Sequence, residues 1–222
     1  MHVALLGGTG DLGEGLALRW GADTGYNITI GSRDAERAEN AADAYMSTLA
    51  DHGHDRSLAA ASNREAAEPA DVVVLAVPPY HVADTVEAVA DALPTDAIVV
   101  SPAVGMQSDE AGLHYHRPGA GSVTAVAADA TPDPNPVIGA FHSLPAHKLA
   151  ALEVDLSLDT LLIGDDNEAK ETIEELATAI DGVRALDAGP LANAAEVESM
   201  TPLMINLARY NEGLHDLGVT FE

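Results

Sequence analysis

His2-Val3-Ala4-Leu5-Leu6-Gly7-Gly8-Thr9-Gly10-Asp11-Leu12-Gly13 is the stretch on which the reading of this chain turns. An apolar run passes at once into a glycine turn and a helix start, and Gly8, Gly10 and Gly13 carry the G-x-G-x-x-G spacing in that context. The three glycines serve different ends: the tight turn, close approach of backbone to a pyrophosphate, and close packing of helix on strand. Amides at the start of the following helix then face the phosphates with a favourable dipole. An ordinary strand–turn–helix has no packing reason to repeat glycine at these spacings. A dinucleotide pyrophosphate is therefore expected at residues 8–13.

The end of the next strand decides which dinucleotide. Tyr26-Asn27-Ile28-Thr29-Ile30 reads as a strand and runs into Gly31-Ser32-Arg33. NAD sites place an Asp or Glu about 20 residues past the glycine loop to bond the ribose 2′-hydroxyl. Here that carboxylate is missing, so a 2′-phosphate meets no repulsion, while Ser32 and Arg33 offer a hydroxyl and a positive charge. In a chain with 10 Lys and Arg in all, an arginine at this position favours NADP over a surface helix start.

Beyond it, strand and helix patterns alternate. Asp34 to about Leu49 is alanine-rich with charges at helical spacing, and a weak third strand lies near Ser57-Leu58. Asp71 to Val77 reads as a buried strand ending in Pro78-Pro79, Tyr80 to Leu93 as a helix, and Ala97 to Val100 as a strand closed by Ser101-Pro102. Breakers at Gly119–Gly121 and Thr131–Pro136 flank a further helix. Val137 to Ala140, Thr160 to Ile163 and Val183 to Leu186 read as strands, Asp166 to Ile180 as a helix, and Asn193 to Gly213 as a final helical segment interrupted around Pro202. The alternation argues for an α/β fold, a Rossmann-like parallel sheet with right-handed crossovers and a smaller C-terminal α/β lobe beyond about residue 145.

Composition sets the outer limits. With 36 acidic residues the formal net charge is −26, which repels nucleic acid and anionic membranes, so neither is expected as a partner. The acids are spread along the chain on the polar sides of helices. With few aromatics and much alanine, this suggests a surface built for high salt, where the Debye length shrinks to about 3 Å at 1 M. There is no cysteine, which excludes disulfides, thiol nucleophiles and cysteine metal sites. The longest apolar run, Val72 to Val77, is too short to cross a membrane, and the first strand leaves no room for a signal peptide. A cytoplasmic protein is expected.

Several stretches together carry a resemblance. Val3 to Leu18, Gly31-Ser32-Arg33, Val99 to Pro102, His142 to Ala146, Asp181 to Arg184, Leu186 to Leu191 and Val197 to Leu203 resemble the NADPH-dependent oxidoreductases of the archaeal deazaflavin coenzyme F420. The likeness spans essentially the whole chain. Its amino-terminal part is shared with many dinucleotide enzymes, whereas the stretches beginning at Leu186 and Val197 are far more specific. The resemblance implies direct hydride transfer between NADP and the deazaflavin, in either direction, by a homodimer. It also implies an NADP-binding domain over residues 1–145 and a smaller lobe, 146–222, that closes the deazaflavin cleft. By similarity, Thr9, Ser32 and Arg33 would hold the adenosine 2′-phosphate, and Gly8 to Gly13, with Asp11 and Leu12 at the helix start, the pyrophosphate. Val77, Pro78 and the turn from Ser101 to Val104 would border the nicotinamide. His142, Leu144, Pro145 and Ala146, with Arg184, Leu191 and the Thr201-Pro202 region, are the candidates for the deazaflavin side.

Where the family often carries a second basic residue after the matching arginine, this chain has Asp34, and Arg37, one turn on, is the candidate to compensate. No catalytic acid or base stands out. His142 is the one candidate, to bond the deazaflavin or adjust its ionisation, against a structural histidine at a strand end. His81 reads as a helix-start residue, and His114-Tyr115-His116 would need further ligands to hold a metal, so no metal site is expected. Two rival functions stand beside the main one: an NADP-dependent reductase of an imine, a keto acid or, through a flavin, a metal ion; and a non-catalytic NADP-sensing module. The short segment after residue 145 disfavours the first, and the carboxy-terminal motifs disfavour the second.

Overall fold

Val3, Ala4, Leu5 and Leu6 are apolar on both sides of their strand, so that strand is stable only with both faces covered. In a computed structural model, which describes residues 1–110 and 112–222, all four are fully buried. The first half runs β1 (His2–Leu6), α1 (Asp11–Asp23), β2 (Asn27–Ser32), α2 (Ala35–Asp51), β3 (Ala59–Ser62), α3 (Asn63–Ala67), β4 (Val72–Leu75), α4 (Val82–Val89) and β5 (Ile98–Ser101). A hairpin of β6 (Met106–Asp109) and β7 (Gly112–Tyr115) leads to α5 (Val123–Ala130) and β8 (Val137–Gly139). Then come α6 (Ala146–Ala150), β9 (Leu158–Leu162), α7 (Asn167–Thr178), β10 (Val183–Asp187), α8 (Ala194–Glu198) and α9 (Met200–Tyr210).

The central sheet has six strands in the order β3-β2-β1-β4-β5-β8, all parallel. Val3 sits level with Ile28 on one side and Val72 on the other. The order reverses between β1 and β4, and in open α/β sheets ligands bind in the crevice beyond the carboxyl ends of the strands at such a point. Both the glycine loop and Val77-Pro78 emerge there.

Three local outcomes differ from the expectations. The third strand is Ala59–Ser62 rather than Ser57-Leu58, because register with Thr29–Ser32 on β2 recruits a run of small residues that carries no strand pattern of its own. The hairpin β6–β7 is not expected as such; the period-two spacing of His114-Tyr115-His116, read as loop or strand, falls partly on β7. The last helical segment breaks at Ser199 and not at Pro202, which sits in the first turn of α9, where a missing N–H costs no helical bond.

The second half is joined to the first through α1. β9 and β10 form a parallel pair that meets the central sheet by an antiparallel bridge between Gly139 and Ile163. α6 packs against α1 so closely that a Cβ on Gly15 would stand 2.6 Å from the Leu149 Cβ. One turn on, Arg19 is 6 % exposed and donates to the carbonyls of Lys148, Leu149, Ala151 and Val154 at 2.7–3.0 Å. Trp20 donates its Nε1–H to the Leu176 carbonyl (2.9 Å) and meets Phe141 edge-on, ring centres 5.8 Å apart. One apolar cluster accordingly runs from Val3 and Leu5 through Trp20 to Leu158, Ile173 and Val183, across the expected boundary near residue 145.

Removing the Arg19 side chain leaves the buried Leu149 carbonyl and three part-buried carbonyls unpaired. Arg19→Ala is expected to lower unfolding free energy by about 3–5 kcal/mol, read from the denaturant midpoint at high salt. A loss below about 1 kcal/mol would show that water replaces the guanidinium.

Candidate functional site

The glycine loop is held from three sides. Gly8 N–H donates to the carbonyls of Leu5 and Gly31 (both 3.0 Å), Tyr45 Oη from α2 donates to the Gly8 carbonyl (3.1 Å), and Asn63 Oδ1 accepts from Gly7 N–H (3.3 Å). Burial, reinforced by Glu14 and Asp11, pushes the Tyr45 phenol up to about 12, so it stays a donor. Gly7 adopts φ +74°, and a Cβ there would lie 2.5 Å from Val77. A Cβ on Gly13 would lie 2.5 Å from the Gly8 Cα, so helix and turn pack backbone to backbone. Gly10 is different: its φ of −97° suits any residue, and a Cβ would meet nothing nearer than 3.8 Å. Packing does not require glycine at Gly10. The space its missing side chain leaves belongs to the cavity in front of α1, as a phosphate cradle requires.

That cavity, about 460 Å³, runs from Gly7, Thr9 and Gly10 to Ser32, Arg33, Asp34 and Arg37, with Asn63, Ala76, Val77, Pro78, Tyr80, His81 and Thr85 on its other side. Among the described residues, neither Arg33 nor Arg37 has a carboxylate within ion-pair distance, and both are exposed. Asp34, the departure from the family pattern, is the N-cap of α2; its Oδ1 accepts from the amides of Glu36 (3.1 Å) and Arg37 (3.4 Å). Its carboxylate thus caps the helix while also lining the cavity between the two arginines.

A second cavity, about 560 Å³, opens on the far side of the same loop. Gly10, Ala76, Val77 and Pro78 wall both, making one cleft. Its remaining lining includes Asp11, Leu12, Val104, Phe141, His142, Leu144, Ala146 and Thr201. A side pocket of about 270 Å³ adds Pro145, Met204 and Leu217. Phe141, which leads into His142, has φ +67°, a left-handed conformation uncommon for a bulky residue. It is held there by Thr160 Oγ1, which accepts from its N–H (2.8 Å), and by its contact with Trp20.

His142 is 5 % exposed, its carbonyl accepting from Thr201 Oγ1 (2.8 Å). Its Nε2 lies 3.5 Å from Thr124 Oγ1, and its Nδ1 is buried with no protein partner. Thr124 Oγ1 in turn donates to Glu198 Oε1 (3.0 Å). Glu198, fully buried, also accepts from the amides of Val123 and Thr124 at the start of α5 and from Tyr115 Oη (2.8 Å). Burial and Glu198 both push the Tyr115 phenol up, keeping it a donor.

The expected residues are thus brought to one cleft with few exceptions. Gly8 and Gly13 are buried in the turn and line neither cavity, and Ser101 is fully buried at the end of β5. Leu191 lines a separate depression with Arg117. Arg184 is turned away: on β10 it binds both carboxylate oxygens of Asp159 (2.8 Å each) and the carbonyl of Phe221, tying down the C-terminal tail. The Arg184 guanidinium holds the Asp159 carboxyl below the usual carboxylate range. Tyr45, Asn63, Thr124 and Glu198 were missed. Tyr45 shares the helical spacing of Ala38, Ala42 and Leu49, so a lone hydroxyl on that buried stripe was the one signal present.

A reversal-point cleft with a glycine loop and a cationic pocket at the end of β2 defines a Rossmann-type dinucleotide-binding protein. A family model described as NADP oxidoreductase, coenzyme F420-dependent, matches residues 2–105. The F420-dependent NADP reductases of Methanothermobacter thermautotrophicus and Methanocaldococcus jannaschii are 38 % and 35 % identical to the chain over 93 % of its length, covering 89 % and 92 % of theirs. The chain belongs to the family of F420-dependent NADP reductases. In fold it is similar to a chain from Arthrobacter sp. FB24 described as a putative F420-dependent NADP-reductase (TM-score 0.74, 23 % identity, 92 % of each chain). It is also similar to a pyrroline-5-carboxylate reductase from Coxiella burnetii (TM-score 0.61, 21 % identity, 92 % of this chain and 66 % of that one).

Burial lowers the His142 imidazole from 6.5 to about 4. Between those values the unfolded chain binds a proton that the folded chain does not. The stability this group supports is therefore whole above about pH 6.5 and is lost as pH falls toward 4, by about 3 kcal/mol. The difference in unfolding free energy between wild type and His142→Gln is expected to shrink by about that amount across this window. A difference that does not change with pH would show that the ring is not held neutral.

Proposed function

We propose that this chain transfers a hydride between NADP(H) and the deazaflavin coenzyme F420 across the cleft formed by the two cavities. The observation that supports it is the shared wall: a dinucleotide lying from Arg33 past Gly10 ends at Val77-Pro78, where the second, more apolar cavity begins. Thr9, Ser32 and Arg33, with Arg37, would hold the 2′-phosphate, and Gly8 to Gly13 the pyrophosphate. His142, Leu144, Pro145, Ala146 and Thr201 would hold the deazaflavin. Arg184 stays outside this set because its guanidinium is committed to Asp159.

When bound, NADPH supplies the hydride and the deazaflavin accepts it. The chain's part is alignment and exclusion of water. Val77, Pro78, Val104 and Leu144 give apolar walls. His142, kept neutral, adds an uncharged edge, with Thr124 and Glu198 behind it. We read residues 1–145 as the nucleotide-binding part and 146–222 as the smaller lobe, the protein as a cytoplasmic homodimer, and the acidic surface as an adaptation to high salt. Among the described residues no helix is long and apolar enough to cross a membrane.

Mixing the protein with NADPH and oxidised coenzyme F420 in molar potassium chloride is expected to bleach the deazaflavin absorbance with turnover; NADPH binding without turnover overturns the reading. Arg33→Ala is expected to raise the KM for NADPH roughly ten- to hundredfold, as loss of a charge-assisted phosphate contact implies, and to leave kcat within about twofold. Equal use of NADH and NADPH by the wild type would remove the 2′-phosphate assignment.

A further inference from the structure

Carboxylates stud the long helices of this molecule but skip one. α1 carries Asp11, Glu14 and Asp23; α2 carries Glu36, Glu39, Asp43 and Asp51; α7 carries Glu168, Glu171, Glu174 and Glu175. α9, Met200–Tyr210, has no acidic residue and one cation, Arg209. The same helix holds large apolar side chains in solvent: Leu203 is 58 % exposed, Leu207 43 % and Tyr210 69 %. Spaced i, i+4 and i+7, they form one stripe. α9 lies on the β6–β7 hairpin, its Asn206 Nδ2 donating to the Leu113 carbonyl (2.7 Å), and the hairpin adds exposed Met106 beside it.

Large apolar side chains gathered in solvent mark a surface that a partner covers. For a chain of net charge −26, a second copy is repelled wherever acid faces acid. The stripe itself carries no carboxylate, with Asp109 and Glu110 on the hairpin and Glu212 beyond the helix only at its margins, so two copies meet there at the least cost, and a two-fold contact sets the same patch against itself. We propose that the outer stripe of α9, centred on Leu203, Leu207 and Tyr210, is the homodimer contact, packed against the same stripe of a second copy. This rests on the homodimer reading above and adds the surface.

The assignment bears on the cleft. The inner side of α9 supplies Thr201 and Ile205 to the second cavity, and Ile205, 40 % exposed, rims that cavity together with Met106. A second copy over the stripe covers this open apolar rim and fixes the helix that forms the wall, so a lone chain has an incomplete site.

Because the chain has no cysteine, Leu207→Cys supplies its only thiol. In molar potassium chloride the wild type is expected to scatter light at twice the chain mass. A short bis-maleimide is expected to link Leu207→Cys into dimers, and to leave Ala44→Cys, exposed on α2, unlinked. The double variant Leu203→Glu with Leu207→Glu is expected at single-chain mass with its NADPH dissociation constant unchanged. A monomeric wild type overturns both the homodimer reading and this proposal. A wild-type dimer that survives the double substitution, or that links as readily through Ala44→Cys, overturns the proposal and leaves the homodimer reading standing. Should the double variant fold poorly, the cross-linking pair decides alone.

Discussion

Arg19 carries its charge into a place where backbone carbonyls, not a carboxylate, receive it. Desolvation lowers its pKa, while Asp23, Glu153, Asp155 and Asp181 oppose that from a distance. A buried cation without its acceptors costs several kcal/mol, so the segment from Lys148 to Val154 has little freedom to leave α1. α1 is also the helix whose amino end faces the first cavity. Its opposite side, through Gly15 and Arg19, carries α6, and through Trp20 it carries α7. Both walls of the cleft are therefore referred to one rigid element.

The distribution of positive charge follows the same logic. In a chain with ten Lys and Arg, six are consumed by structure: Arg19 by carbonyls, Arg64 by Asp91, Lys170 by Asp187 (2.8 Å), Arg184 by Asp159, Arg56 by the Tyr26 carbonyl and Arg117 by the Gly121 carbonyl. Arg33 and Arg37 are left facing a cavity rather than a partner. The acidic surface sharpens this contrast, because the cavity by Ser32 is a local exception to the field of the molecule.

How much of this was legible depended on whether the signal was local. The glycine loop, the bare end of β2 and the alternation of strand and helix write themselves in consecutive residues, and the parallel sheet with its reversal beside β1 follows from them. β3 was displaced because Ala59 to Ala61 form a strand only on account of β2 beside them. Of the hairpin β6–β7 only the period-two spacing of His114-Tyr115-His116 is legible, because Met106 to Asp109 are all exposed and carry no alternation. The partners behind His142 could not be read at all: Thr124 and Glu198 lie far from it in sequence and meet only when α5 and α8 pack. Arg184 runs the other way. A motif placed it near the second coenzyme, and its neighbour across the β9–β10 ladder, Asp159, claimed its charge instead.

Phe141 has a consequence for how such a chain diverges. Its left-handed backbone aims His142 at the cleft, and that backbone is kept in place by Trp20 and Thr160, neither of which lines the cleft. The direction in which the site looks is thus stored in the core. A lineage that repacks the space around Trp20 for any reason retunes its cleft at the same time. Divergence in stability and divergence in ligand preference are inherited through the same few side chains.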